Sequence, residues 1–140
     1  MPWVCPDASL AVGLLVPGPE SASAEKLFRE WSALGQIKAA PNLIGYEVTN
    51  ALLRYRGAGV LTGDEMHTAL GYFLSLDIQL MGDAALHKRA LEFALEYALP
   101  AAYDAHYLAL AERLGAELWT VDRKLVNRLS DKLAWVRLAI

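Results

Sequence analysis

The fold is indicated most directly by the stretch "AYDAHYLALAERLGAELWTVDRKL", residues 102–125. Its apolar periodicity predicts a helix over 103–114, and a glycine follows where such a helix would end. Residues 117–121 include Trp, Thr and Val and predict a short strand. Asp104 lies in the first turn of the helix, and Asp122 directly follows the strand. The stretch therefore predicts a helix and strand of an α/β fold, with a carboxylate beside each element.

The rest of the chain repeats this alternation of helical patterns and short strand candidates, without an internal repeat or a linker. The other strand candidates are residues 3–5, 37–40, 77–80 and 134–138. Strands separated by helices favour a parallel sheet, because a right-handed crossover returns the chain to the same end of the sheet. We expect one α/β domain over residues 1–140, with a mostly parallel five-stranded sheet and helices on both faces.

Composition argues against several classes of protein. Apolar residues make up 55% of the chain, but the longest apolar run near its start, "LAVGLLV", has seven residues, against the roughly 20 that a spanning helix needs. The first residues lack a basic leader, so we expect a cytoplasmic protein that does not bind membranes. Cys5 is the only cysteine, which argues against an internal disulfide or a cysteine-based zinc site and predicts burial in the first strand. The net charge of −3 argues against a general nucleic-acid binder, although basic residues predominate after Leu110.

Four acidic residues fall near one predicted edge of the sheet. Asp7 follows the first strand and Asp122 follows the fourth, while Glu47 lies about one turn into the helix after the second strand. The fourth acid is Asp104. Each of the four, taken alone, also has an ordinary explanation as a turn residue, a helix cap or a solvated side chain. Carboxylates that converge at the carboxyl ends of parallel strands repel one another unless a cation joins them, and oxygen-only ligands suit Mg²⁺ or Mn²⁺. Together the four acids indicate a metal site.

Four parts of the chain also carry a family resemblance: "VCPDASLAV", "PNLIGYEVTNAL", "AYDAHYLALAERLGAELWTVD" and the final Asp122 of the third segment. In this order and spacing, over nearly the whole chain, they resemble the PIN-domain nucleases, and among them the VapC-like toxins of toxin–antitoxin pairs. The resemblance implies a PIN-like nuclease domain and hydrolysis of RNA phosphodiesters with Mg²⁺ or Mn²⁺. It assigns the catalytic and metal-binding roles to Asp7, Glu47, Asp104 and Asp122.

The same resemblance implies that Ser9 and Thr120 support the site. It also implies a homodimer and a small cognate antitoxin whose tail enters the acidic cleft. One departure is Pro6, directly before Asp7, where the family usually continues an apolar strand. Because proline removes a backbone donor, it is expected to weaken strand pairing beside the site.

Other polar residues near the four acids are candidates for a role in the site. Asn50 lies three residues after Glu47, on the same helical face, and is a candidate to hydrogen-bond it. Arg123, Lys124 and Arg128 follow the last acid and are candidates for contact with RNA phosphates, although a solvated helix face explains them equally well.

The aromatic and histidine residues are ambiguous or uninformative in the sequence. Three tyrosines near the acids are candidates for stacking on bases, although such tyrosines are more often packing residues: Tyr46, Tyr103 and Tyr107. The three histidines are not spaced as a zinc site and are expected to be structural or exposed: His67, His87 and His106.

Proteins of other classes fit the sequence less well. A receiver module needs adjacent acids after the first strand, and an aspartyl-phosphate phosphatase needs a second aspartate two residues after Asp7, where this chain has Ser9. The remaining alternative is a non-catalytic PIN-like binding protein that retains the fold and the partner surface. Support for a dimer within the sequence is limited to its apolar helices, which include Leu27, Trp31, Leu52, Tyr55 and Phe73.

Overall fold

A computed structural model describes residues 2–129 and 131–140. Within them, five strands form one sheet in the order β3-β2-β1-β4-β5, and every pairing is parallel. The strands are β1 (Trp3–Pro6), β2 (Ile37–Pro41), β3 (Gln79–Met81), β4 (Glu117–Thr120) and β5 (Val136–Leu138). The predicted α/β architecture is therefore confirmed.

Seven helices connect the strands in the described chain. They are α1 (Ala8–Leu15), α2 (Ser21–Ala33), α3 (Leu43–Gly57), α4 (Gly63–Leu74), α5 (Ala84–Glu96), α6 (Tyr103–Leu114) and α7 (Arg123–Leu129). Adjacent residues of a strand point to opposite faces of a sheet. Cys5 packs into a core with α3, α5 and α6, whereas Val4 packs into a second core with Phe28 and Trp31 of α2. Helices thus cover both faces, as expected, and Cys5 is fully buried.

All five strands differ from their predicted bounds. The first two each extend one residue further, to Pro6 and Pro41. The third begins at Gln79 rather than residue 77, because Asp77 has a φ of 55° and lies in the left-handed region. The fourth ends at Thr120, because the N–H of Val121 donates to the Ser9 hydroxyl. The fifth is limited to Val136–Leu138.

Pro6 does not disturb the pairing that positions Asp7. Pro6 lies opposite Trp119 of β4, and the N–H of Asp7 donates to the Trp119 carbonyl at 3.0 Å. Successive backbone N–H groups of a strand point to opposite sides. The donor that proline lacks therefore faces β2, where the described pairing has already ended at Val4 and Lys38.

The apolar residues that supported a dimer in the sequence lie against the core instead of on an open face. Trp31, Leu52 and Phe73 are buried, and Leu27 and Tyr55 are partly buried against the two cores. That sequence-based support was therefore wrong. The exposed large apolar residues of α3, β3 and α5 are different ones: Tyr46, Leu53, Leu80, Leu91 and Leu95.

No helix in the described residues has the length and apolarity required to cross a bilayer.

Candidate active site

Neighbouring strands bring Asp7 and Asp122 to the same edge of the sheet. β1 and β4 pair directly, with Pro6 opposite Trp119, so the residues after both strands emerge side by side. Each acid then begins a helix. Oδ1 of Asp7 accepts the N–H of Leu10 at 3.0 Å, and Oδ1 of Asp122 accepts the N–H of Leu125 at 3.2 Å. Strand register and helix capping thus orient both carboxylates.

Ser9 and Thr120 connect the two strand ends. The Ser9 hydroxyl donates to Oδ1 of Asp7 at 2.7 Å and lies 3.2 Å from the Thr120 hydroxyl oxygen. The Thr120 oxygen accepts the N–H of Asp122 at 3.0 Å. The two residues predicted to support the site thus contact or adjoin both acids.

Asp7 is one of two buried polar side chains identified in the described chain, and it is 5% exposed. Burial raises the pKa of Asp7 to about 6, because an ionised carboxylate loses its hydration. Hydrogen bonds from Ser9, Thr120 and Leu10 oppose this increase, and repulsion from Asp104 adds to it. Asp7 therefore takes up a proton more readily in the folded protein than in the unfolded chain.

Asp104 interacts electrostatically with all three other acids. Burial raises its own pKa, and the charge of Asp122 raises it further. The charge of Asp104 in turn raises the pKa values of Asp7 and Glu47. The charge of Asp104, in the first turn of α6, is thus felt by Asp7 and Glu47, and Asp104 is in turn affected by Asp122.

Tyr107 on α6 donates a hydrogen bond to Glu47 on α3. Burial is the largest cause that raises the pKa of Glu47, and a hydrogen bond of 2.7 Å from the Tyr107 hydroxyl opposes it. Tyr107 is itself buried, and burial together with the neighbouring carboxylates raises its pKa. Sequence reasoning did not assign this role, although Tyr107 follows Asp104 by three residues, on the same face of the helix.

The predicted bond between Asn50 and Glu47 is not formed within the described residues. Asn50 is exposed and lines a groove of about 600 Å³ between α1 and α3. Ser9, Glu47 and Arg54 line the same groove. Asn50 thus lies on the approach to the carboxylates.

The three basic residues of α7 differ in their contacts. Arg128 donates from Nη1 to the Ala98 carbonyl at 3.1 Å and so ties α7 to the loop before α6. Arg123 and Lys124 are exposed, and neither forms an ion pair or hydrogen bond within the described chain. All three side chains are exposed, and the Ala98 bond uses one of the five N–H donors of Arg128.

The donor chemistry of the site fits Mg²⁺ or Mn²⁺. The four acids offer only carboxylate oxygens, the ligands these ions prefer. In the described residues, no three acidic, histidine or cysteine side chains are already placed to hold an ion. Repulsion among the ionised carboxylates opposes such a closed arrangement until a cation neutralises them.

Comparison with known proteins assigns the family. No protein-family model matches the chain. The ribonuclease VapC3 of Pyrobaculum aerophilum is 32% identical over 126 residues, which cover 87% of this chain and 91% of that protein. The crystal structure of PAE2754, also from Pyrobaculum aerophilum, is similar at 27% identity with a TM-score of 0.66, covering 90% of this chain and 86% of that one.

A second structure, that of the sarcin–ricin loop cleaving toxin VapC20 of Mycobacterium tuberculosis, is similar in fold. Its TM-score is 0.71 at 18% identity, covering 96% of this chain and 98% of that one. The fold agrees with the relationship that sequence identity to VapC3 establishes. This chain belongs to the VapC family of ribonucleases.

Proposed function

We propose that this chain is an endoribonuclease that requires Mg²⁺ or Mn²⁺ and acts as the toxin of a toxin–antitoxin pair. The observation that carries the proposal is the pairing of β1 with β4, which brings Asp7 and Asp122 to one edge of the sheet, where the Ser9 and Thr120 hydroxyls connect them. Converging carboxylates with raised pKa values are costly to the fold, and such costs are concentrated at functional sites. Membership of a ribonuclease family makes RNA the expected substrate.

In this proposal Asp7, Glu47, Asp104 and Asp122 hold the ion. Bound there, a divalent cation would lower the pKa of a water molecule and neutralise charge on the scissile phosphate. The protein orients three of these carboxylates, since a hydroxyl or a backbone N–H donates to one oxygen of each of Asp7, Glu47 and Asp122.

The cations at the start of α7 are proposed to hold the RNA beside the cut. Arg123 and Lys124 directly follow Asp122, so a phosphate next to the scissile one would lie within their range. Arg128 is proposed to contact RNA with its remaining N–H donors, because its exposed guanidinium uses only Nη1 for the Ala98 carbonyl.

The proposed protein partners are a small antitoxin and a second copy of the chain. The groove between α1 and α3 leads to Ser9 and Glu47, so a basic antitoxin tail lying in it would reach the acidic site. Exposed leucines of α3 and α5 offer apolar surface for a homodimer, among them Leu53, Leu91 and Leu95.

A non-catalytic PIN-like binding protein is the less favoured alternative. Such a protein would have no need to bury Asp7 or to hold Glu47 with a buried tyrosine hydroxyl, as this chain does. Burial of Asp7 disfavours its ionised form, as its raised pKa indicates, and perturbed carboxyl groups of this kind are concentrated at functional sites.

The direct test is cleavage of structured RNA by the purified protein without any partner. We expect fragments with Mg²⁺ or Mn²⁺ and none in EDTA. Glu47→Gln, which changes one charge at nearly constant shape, should lower the rate by orders of magnitude. Full activity in EDTA, or activity with zinc alone, would contradict the proposed site.

The partner proposals have separate readouts. Expression of the wild type should be toxic, and light scattering should give the mass of a dimer. A monomer mass at every concentration, together with harmless expression, would contradict them.

A further inference from the structure

We propose that a second groove, at the carboxyl ends of β2 and β3, binds an unpaired nucleobase next to the scissile phosphodiester, with Tyr46 and Tyr103 stacking on it. The inference rests on the proposed ribonuclease function and adds a base-binding subsite to it. We call this the tyrosine groove. Four of its lining residues carry the argument: Asn42, Tyr46, His87 and Tyr103.

The tyrosine groove lies at the edge of the sheet that carries the carboxylates. It begins at Pro41 and Met81, the last residues of β2 and β3, and continues into the residues that follow them. Parallel sheets bind ligands at the carboxyl ends of their strands. Its volume of about 670 Å³ lies in the range of small-molecule pockets, roughly 300–1,000 Å³. The groove is therefore large enough for a base with its ribose.

Each tyrosine is the neighbour of a proposed metal ligand. Tyr46 directly precedes Glu47 on α3, and Tyr103 directly precedes Asp104 on α6. Adjacent helical residues point about 100° apart, so each helix directs a carboxylate to the metal site and an aromatic ring to the tyrosine groove. RNA whose phosphate lies at the carboxylates would thus have a flanking base within reach of the rings.

Both rings are open to solvent. Tyr46 is 76% exposed and Tyr103 is 63% exposed, and within the described chain neither hydroxyl makes a hydrogen bond. Single exposed apolar residues are common, but two aromatic rings that line one groove offer the stacking surface that single-stranded RNA binds. The site therefore suits a base that has left a helix.

A fixed pair of histidines forms the polar rim of the tyrosine groove. Nδ1 of His106 lies 2.7 Å from the Ala102 carbonyl, which only accepts, so this nitrogen carries the proton. In the neutral ring, Nε2 of His106 then accepts from Nδ1 of His87 at 2.8 Å. A neutral His87 consequently keeps a lone pair on Nε2. Together with the Asn42 amide, the rim can pair with the N–H and carbonyl groups of a base edge.

Two of the three helices that line the tyrosine groove, α5 and α6, are held together before any ligand binds. The Asp83–Arg113 ion pair joins α5 to α6 with N–O distances of 2.9 Å, and the histidine pair forms a second connection between the same helices. A preformed site loses less entropy on binding than one that must be ordered.

The test compares alanine and phenylalanine variants of the two tyrosines. The cut site is mapped first on wild type, and RNA affinity is then measured by fluorescence anisotropy in an Asp104→Asn background, which removes cleavage. We expect Tyr46→Ala and Tyr103→Ala each to weaken affinity by about five- to a hundredfold, the range for loss of one aromatic–base stack. Tyr46→Phe and Tyr103→Phe should retain wild-type affinity, because they keep the ring. Tyr72→Ala is the matched control, since Tyr72 is an exposed tyrosine outside this groove.

An RNA that lacks the base beside the cut provides the second measurement. Wild type should bind this RNA more weakly than the intact RNA, by the same factor that each alanine substitution costs. The alanine variants should bind it no more weakly than they bind the intact RNA. Unchanged affinity in both alanine variants would overturn the inference while leaving the ribonuclease proposal intact, whereas a wild type that cuts no RNA would refute the ribonuclease function itself. If the tyrosine groove instead contacts a second copy of the chain, the alanine variants should dissociate into monomers. Their loss of RNA affinity should then add to the loss caused by the abasic RNA, and this result would also overturn the inference.

Discussion

Replacement of Asp7 by asparagine should separate the stability of this fold from its activity. Asp7 is buried, and its Oδ1 accepts hydrogen bonds from both Ser9 and the N–H of Leu10. Asparagine keeps an oxygen at that position and removes the charge. We therefore expect Asp7→Asn to be inactive, yet more stable than wild type in the absence of metal at pH 8.

The size of the effect follows from the pKa of Asp7. Its increase from 3.8 to about 6 corresponds to about 3 kcal/mol, because one pKa unit equals about 1.4 kcal/mol. For a domain of this length, such a gain raises the melting temperature by about 10 °C. Relaxation of the metal-free site makes this an upper value.

The direction of the stability change depends on the pH at which Asp7 is protonated in the folded protein and in the unfolded chain. As pH falls through about 6, folded Asp7 becomes protonated while the unfolded chain stays ionised until pH approaches 3.8. The native wild type therefore binds more protons and gains stability over this range. Asp7→Asn has no carboxyl group at this position, so its gain in stability over wild type is largest above pH 6 and disappears by about pH 4.

Urea unfolding in EDTA at pH 8, 6 and 5, followed by tryptophan fluorescence, measures the difference directly. Asp77→Asn is the control, since Asp77 is exposed and asparagine tolerates its left-handed backbone. Added Mg²⁺ should stabilise wild type more than Asp7→Asn, because it binds the ionised native site. The reasoning is refuted if Asp7→Asn is less stable than wild type at pH 8, or if the gap is equal at pH 8 and pH 5.

Three further variants test the remaining parts of the site. Asp104→Asn should lower kcat by orders of magnitude and, by removing a neighbouring charge, lower the pKa of Glu47 in an NMR titration; an unchanged pKa would remove Asp104 from the cluster. Tyr107→Phe removes the hydroxyl bond to Glu47, so kcat/KM should fall by about tenfold or more and Glu47 should titrate at higher pH; wild-type values would make the tyrosine a packing residue alone. The double variant Arg123→Gln, Lys124→Gln should weaken RNA binding and reduce the slope of log affinity against log salt by up to about 2, whereas an unchanged slope would show that neither cation meets a phosphate.

The alternation of strands and helices was readable from the sequence because both periods are local. A helix repeats every 3.6 residues and a strand every two. The secondary structure of residues 103–114 and 117–121 can therefore be predicted without knowledge of any tertiary contact. The parallel sheet follows, since each helix must return the chain to the same end of the sheet. The positions of Asp7 and Asp122 close to the carboxyl ends of strands were therefore predictable. The start of the third strand was not, because the backbone conformation of Asp77 is not evident from its neighbours.

Tertiary structure decided which side chains meet. The order of strands places β1 beside β4, and only this order brings Asp7 and Asp122 together, although 115 residues separate them in the chain. Helical spacing correctly put Asn50 and Glu47 on one face, yet Glu47 bonds Tyr107, which reaches it from α6. The tyrosine groove likewise needs both α3 and α6. Periodicity fixes the face on which a residue lies, but the partner opposite that face depends on how distant segments pack, and no local pattern records that packing.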